Sequence, residues 1–376
     1  MILFLAGQAL AYPFMIGHGY TGCAQCHVDP SGGSALTEYG RGQAEIFMRS
    51  VYGERAAEYE PGAVKDFAFG VPLPESLQLQ GDVRGLFIPQ PDNMRFILMQ
   101  ADMRGHLGVG AFRAYGSLGY ASEGAYGARV TGNDSGGNLI SREWWLGGQL
   151  GKRSLLRAGR MPLPFGIRSE EHLLYARSAT RTDTNDDQQV GLDFNYGSKK
   201  LRAELMGIAG NFSVSPDEFR ERGYSAFAAY ALDNQLEVGM SSLVAHSQTD
   251  VEALDERLRQ AHGLFGRWAP WEPVRFLVEA NTLVDSVAGA SATLGTVGYL
   301  QVDVEPVQGL HVKGTGEWCD NDHGDELGAV MRGSATALWF FAPHADLRLD
   351  ALYGTLFCTP GSEPFPMGMA QVHVFL

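Results

Sequence analysis

From about Leu77 to Leu376 the chain alternates apolar and polar side chains in short runs broken by turn residues. In the run from Val190 to Tyr196, Val190, Leu192, Phe194 and Tyr196 share one face, and Asp193 and Asn195 take the other. Leu201, Ala203 and Leu205 oppose Arg202 and Glu204; Val274, Phe276, Val278 and Ala280 oppose Arg275, Glu279 and Asn281. Leu310, Val312 and Trp318 oppose His311, Lys313, Thr315 and Glu317; Leu349, Ala351, Tyr353 and Phe357 oppose Arg348 and Asp350. Period-two alternation of this kind predicts strands with one apolar and one polar face.

The connections fall into two kinds. Short turns are predicted at 109–110, 151–153, 198–200, 233–234 and 342–344. They alternate with longer loops at 122–138, 162–187, 210–222, 248–258, 285–292, 319–328 and 358–366. Tight turns on one rim and long loops on the other are the arrangement of a transmembrane antiparallel β-barrel, and this spacing gives about 16 strands, an even number. Tyr196, Trp318, Trp339, Tyr353 and Phe357 are the expected interfacial aromatics, and Val372 to Leu376 reads as the last strand, with Phe375 penultimate. A soluble β-sandwich alternates too, with its apolar face inward; charges of both signs on strand after strand favour the all-β membrane barrel.

Composition changes this picture only in places. The chain has 376 residues, 48 glycines, 19% charged residues and a formal charge of −14. An acidic chain does not suit nucleic acid, whose phosphates need basic partners. No run approaches the ~18 apolar residues of a membrane helix, but barrels lack such runs as well. Met1 to Leu10 is nearly all apolar, and Ala9-Leu10-Ala11 has the small-x-small pattern of a cleavage site. Residues 1–11 therefore read as an export signal with a shortened start, the other reading being a buried apolar strand.

Residues 12–75 differ from the rest of the chain. They carry Cys23-Ala24-Gln25-Cys26-His27, then Pro30-Ser31-Gly32-Gly33, then an expected helix with Tyr39, Ile46, Phe47 and Val51 on one apolar side. The stretch 60–74 holds three prolines and reads as a linker to the barrel over 76–376. C-x-x-C-H is the attachment sequence of haem c. Two thiols bond one edge of the macrocycle, and the next histidine reaches the iron as proximal ligand. A zinc site would need two more Cys or His ligands, and the segment offers only His18; a redox dithiol would stand in a βαβ context, which the pattern does not contain. The expected cofactor is one haem c on Cys23 and Cys26, with iron on His27. Met15, His18 and Met48 are the candidates for the sixth position, which an open site would leave vacant.

With Gly19-Tyr20-Thr21-Gly22 before that motif and Tyr39-Gly40-Arg41 after it, the layout resembles the fused monohaem cytochrome c–porins, of which the best known are iron-oxidising outer-membrane cytochromes. Those carry Phe-Ala-Arg-Gln-Thr ahead of the motif; this chain has Ile16-Gly17-His18-Gly19-Tyr20-Thr21, which leaves the electron donor open. The resemblance implies electron transfer at the bacterial outer membrane, with the haem segment in the periplasm or the lumen. Its implied partners are periplasmic electron carriers, outer-membrane lipid, and extracellular Fe(II) or another redox partner. The acidic run 320–326 would gather cations at the surface or serve as an ordinary solvated loop, the reading favoured for a polar loop. The alternative function is a solute porin with an accessory haem segment. A haem enzyme such as a peroxidase would need an acid–base residue over the iron, and the sequence identifies none.

Cys319 and Cys358 are expected to open loops on the same rim, two strands apart. Neighbouring strands lie ~4.8 Å apart, so the strand ends would be ~10 Å apart, too far for a bridge within the wall. Inward bending at the loop mouths would close that gap in an oxidising compartment. A disulfide joining loops 319–328 and 358–366 is the expectation, two free buried thiols the alternative.

Overall fold

A computed structural model describes residues 12–30, 32–33, 35–50, 71–89, 93–121, 138–169, 171, 173–184, 187–212 and 217–375. The expected export signal, most of the linker and nearly all of loop 122–138 lie outside the described residues.

Among the described residues the strands are β1 Leu77–Pro89, β2 Met94–Val109, β3 Phe112–Ala121, β4 Asn138–Ile140, β5 Trp144–Leu150, β6 Ser154–Met161, β7 Gln189–Gly197, β8 Leu201–Gly210 and β9 Arg222–Ala231. They continue with β10 Leu236–Ser247, β11 Arg257–Trp271, β12 Val274–Val287, β13 Thr293–Val307, β14 Leu310–Asp320, β15 Val330–Ala342, β16 Ala345–Gly354 and β17 Phe365–Phe375. The short β4 and β5 both pair with β3, one beyond the other, and so form one broken stave. That makes a closed antiparallel barrel of 16 staves, sealed where Asp82 to Phe87 of β1 pair with Phe375 to Ala370 of β17.

Short turns join β2–β3, β5–β6, β7–β8, β9–β10, β11–β12, β13–β14 and β15–β16, all on one rim. Two of these, at 272–273 and 308–309, escape the sequence reading. The first contains Pro273, and Gly309 sits at φ +79, where a side chain would also meet Met48 O and Ser50 N within about 2.5 Å. Phe357 is no girdle residue: β16 ends at Gly354, because the chain turns inward there. The expected apolar side of the N-terminal helix is also incorrect. Tyr39 is 49% and Ile46 38% exposed, Val51 lies outside the described residues, and the side chain of Phe47 is not described.

Alternation along each strand puts apolar groups outside and charges inside. On β14, Val312 is 48% exposed and Lys313 2%; on β12, Val278 is 46% exposed and Glu279 1%. Leu192, Leu205, Met240, Leu264 and Leu349 extend the same outer surface. A continuous apolar belt of this kind around a closed wall faces lipid, not water. Lysine at Leu349, near the middle of β16, is expected to cost about 2–4 kcal/mol of folding stability in lipid vesicles; at Val312, two residues above the rim turn, about 0–1. Equal costs at both depths would contradict this placement.

The lumen is filled rather than lined. Loop 162–188, with its helix α2 (Tyr175–Thr180), turns inward and buries Phe165 and Tyr175 against Phe227, Phe265 and Leu277. Wall charges fasten it. Glu279 accepts from Ile167 N at 2.8 Å and pairs with Arg177. Glu317 accepts from Tyr175 N at 2.7 Å and pairs with Arg332, while Glu171 of the loop meets Lys313 at 3.3 Å and also Arg348. Thr315 is accordingly no free lumen position: it is 7% exposed and its Oγ1 accepts from Gln301 at 3.0 Å.

Candidate functional site

Residues 12–50 enter the barrel from the short-turn rim. A 3-10 helix, Pro13–His18, carries Phe14, which stacks on His311 at 3.9 Å and packs on Leu338 and Phe340. Tyr12 OH donates to Asp346 at 3.4 Å. At the other end of the segment Gln308 Nε2 donates to Ile46 O and Arg49 O, at 2.7 and 3.0 Å, and Trp339 Nε1 donates to Ser50 Oγ at 3.0 Å.

The C-x-x-C-H motif is one tight turn. Cys26 N and His27 N both donate to Cys23 O, at 3.1 and 3.0 Å. Helix α1 (Glu38–Gln43), continued by a wider π turn over Ala44–Met48, folds back across it. Thr37 makes this junction: its N–H donates to Cys26 O at 2.9 Å and its Oγ1 caps α1 by accepting from Gly40 N at 3.0 Å. Gly40 is required here, since a Cβ would stand 2.2 Å from Cys26 O. Two cross-links hold the turn to the wall. Arg41 donates to Gln78 at 2.7 Å, and Asp29, two residues past His27, meets Arg157 of β6 at 2.8 Å.

Cys26 and His27 line a cleft, which Met15, Met48 and Tyr12 line as well. The barrel contributes Gln80 from β1 and His373 and Phe375 from β17. His373 is 1% exposed, with Nδ1 2.9 Å from Asp346 and Nε2 3.3 Å from Asp82. Nothing in a single alternating strand distinguishes this histidine from other lumen-facing polar residues. Its membership in the site depends on the closure of the first strand on the last.

His18 is placed elsewhere. Its Nε2 is 3.2 Å from Glu305 and 3.4 Å from Arg275, and it does not line the cleft. Cys23 borders a neighbouring cavity and lies 3.7 Å from Arg202 Nη1. Burial, aided by the adjacent Cys23, pushes the Cys26 thiol up to about 11. A redox dithiol has the opposite shift. No group of three His, Cys, Asp or Glu placed to hold a metal ion occurs among the described residues. A thioether-bound macrocycle with one imidazole ligand fits this donor set: two unbridged cysteines, a histidine and two thioethers beside a mainly apolar cleft.

Cys319 and Cys358 form a disulfide, with Cα atoms 5.7 Å apart. Cys319 ends β14, whereas Cys358 sits in the loop beyond β16 that bends over the lumen, so the span of two strands does not separate them. Tyr175 OH donates to Thr355 O in the same loop at 2.8 Å. The acidic run 320–326 spends carboxylates on its own turn. Asp320 meets His323 at 2.8 Å, and Asp322 and Asp325 accept from Gly324 N and Leu327 N, both at 2.9 Å.

The wall, its outward apolar belt and its two unlike rims define the fold of a transmembrane β-barrel of the outer-membrane type. No protein-family model matches the sequence, and no curated protein does. Solved structures do resemble it. OmpT, an outer-membrane protein of Vibrio cholerae, superposes with a TM-score of 0.62 at 9% identity, over 81% of this chain and 99% of that one. An anion-selective porin from Comamonas acidovorans gives 0.57 at 14%, over 80% and 99%. The outer-membrane channel DcaP of Acinetobacter baumannii gives 0.55 at 14%, over 80% and 97%. At these identities the likeness is one of fold.

Proposed function

We propose that this chain is an electron-transfer protein of the outer membrane, carrying one haem c bound through Cys23 and Cys26 with His27 on the iron. The observation that carries this reading is the single cleft shared by Cys26, His27, Met15 and Met48 at the short-turn mouth of a filled barrel. When bound, the haem supplies one-electron chemistry. Cys23 and Cys26 would tether it and His27 would orient it, with the barrel residues Gln80, His373 and Phe375 lining the cleft beside it. Of the candidates for the sixth position, Met15 and Met48 line the cleft and would be placed to hold the iron, whereas His18 is engaged by Glu305 and Arg275 outside it. Position at the short-turn rim, the periplasmic side of such barrels, favours a periplasmic electron carrier as one partner.

A solute channel with an accessory haem segment is the second reading, and the likeness to porins and channels supports it. Burial weighs against free passage: Lys313, Glu279 and Arg157 face the lumen at 1–2% exposure. Redox titration of the full-length protein, followed in the visible spectrum, tests the proposal. A reversible one-electron transition is expected. Replacing one of the two methionines by alanine should lower the potential and alter the spectrum, with His18→Ala silent. A redox-inert protein whose solute flux is unchanged by loss of the haem would establish the channel instead.

A further inference from the structure

The chain has five lysines: Lys65, Lys152, Lys199, Lys200 and Lys313. Lys313 is buried in the lumen, and Lys65 lies outside the described residues. Among the described residues every exposed lysine therefore stands in the β5–β6 or the β7–β8 turn, where Arg153 is exposed as well. These turns are neighbours on the short-turn rim: β6 pairs with β7, and Gly197 N donates to Arg153 O at 2.8 Å. Four cations thus share one arc of a chain whose formal charge is −14, and neither turn contains an acid.

The rest of that rim is different. Turns 233–235 and 272–273 carry Asp233 and Glu272. Turn 308–309 has no charged residue, and His344 of turn 343–344 is buried. Arg113, beside the β2–β3 turn, donates to Gly110 O and Phe112 O, at 2.6 and 2.8 Å. The basic arc also adjoins the C-x-x-C-H turn. Arg202, two residues beyond Lys200, places Nη1 3.7 Å from Cys23 Sγ. Ala24 and Gln25, next in the motif, are exposed. The cations stand beside the part of the motif that solvent reaches.

We propose that Lys152, Arg153, Lys199 and Lys200 form the docking surface for a soluble periplasmic electron carrier with an acidic face. This rests on the haem reading, which gives the carrier an electron to exchange: one centre is oxidised, the other reduced, and no bond changes. An acidic face is steered toward four exposed cations and oriented by them, an effect that salt screens. Lipid is the competing occupant, since Lys200 Nζ stands 6.0 Å from the ring of outward-facing Tyr230. Headgroups surround a barrel on every side, however, and would favour cations on every turn. Confinement to the arc beside the motif fits a partner approaching from one direction.

A fluorescein-labelled hexaglutamate peptide, titrated into the full-length protein in neutral detergent and followed by anisotropy, tests the surface. Saturable binding is expected, weakened at least about tenfold by high salt. The quadruple variant Lys152→Gln, Arg153→Gln, Lys199→Gln, Lys200→Gln should weaken it at least about tenfold at low salt. Lys199→Gln with Lys200→Gln alone should do less, and Asp233→Asn, on the adjoining turn, should not weaken it. The reduced quadruple variant should pass electrons to anionic ferricyanide at least about threefold more slowly than the wild type, and no more slowly to cationic tris(phenanthroline)cobalt(III). Absence of peptide binding, or equal binding by the quadruple variant, would overturn the assignment. Displacement of the peptide by one equivalent of short-chain phosphatidylglycerol, but not phosphatidylcholine, would make the arc a headgroup site and overturn it too. The peptide assay needs no haem, so a redox-inert protein that binds the peptide fails the haem reading, not the surface. Heat-modified gel mobility verifies that each variant is a closed barrel; if the quadruple variant fails that check, the double variant and the salt dependence decide.

Discussion

Haem is expected to stay with the polypeptide through acid–acetone extraction of the wild-type protein, and to be lost completely from a Cys23→Ala, Cys26→Ala double variant. The turn that brings both thiols and His27 together is made by two backbone bonds to Cys23 O, so it survives removal of the sulfurs. The variant therefore isolates the covalent link from the fold of the segment. Barrel closure, read by gel mobility, should be unaffected, because the wall pairs through β1 to β17 without the segment. Freely extractable haem in the wild type, or unchanged covalent haem in the double variant, would end the cytochrome reading. His27→Ala should leave the thioethers and change the iron spectrum, which separates tethering from ligation.

The second large effect is expected at Arg157→Met. Arg157 is 1% exposed and meets Asp29 at 2.8 Å, Asp193 at 2.7 Å and Glu204 at 2.9 Å. Its removal leaves three buried carboxyl groups without their common cation. Breaking a buried pair from one side costs about 3–5 kcal/mol. Of the three acids only Asp29 belongs to the N-terminal segment, and releasing the segment into solvent relieves that one directly. Arg157→Met should thus undock residues 12–50, seen as faster protease cleavage there and as higher conductance in planar bilayers. Returning the cluster to its original formal charge with Asp29→Asn in the same chain is expected to recover part of the docking. Unchanged cleavage and conductance would mean that the segment's other contacts, among them those to Gln78, Gln308, Trp339 and Asp346, hold it without Arg157.

The barrel is legible in the sequence because lipid makes alternation unavoidable: Val312 and Lys313 are neighbours in sequence and opposites in environment. The cofactor motif is legible because thioether attachment fixes its spacing in five consecutive residues. Sequence is weakest where contacts join distant parts of the chain. His373 and Gln80 enter the cleft only through the seam between β17 and β1, and nothing in either strand announces it. The helix after the motif defeats an apolar pattern for a related reason. Its buried residues are Gly40 and Arg41, suited to close approach to Cys26 and to a bond to Gln78, so apolarity is the wrong guide there. Loop 162–187 reads as an outer loop, and in the structure its Ile167 N and Tyr175 N are drawn inward by Glu279 and Glu317 on strands over a hundred residues away.

The cleft straddles that seam, and this orders the assembly of the protein. Gln80 stands on the first strand and His373 on the last, so the pocket has no complete wall until the final strand has zipped onto the first. Tyr12 likewise finds Asp346 across 334 residues of chain. Contacts of such separation form late, after loop closure has been met elsewhere. The N-terminal segment, although made first, is therefore the last part to find its seat. A chain truncated before β17 would display its motif with nowhere to lodge it, so a seated segment is itself a report that the whole wall has been built.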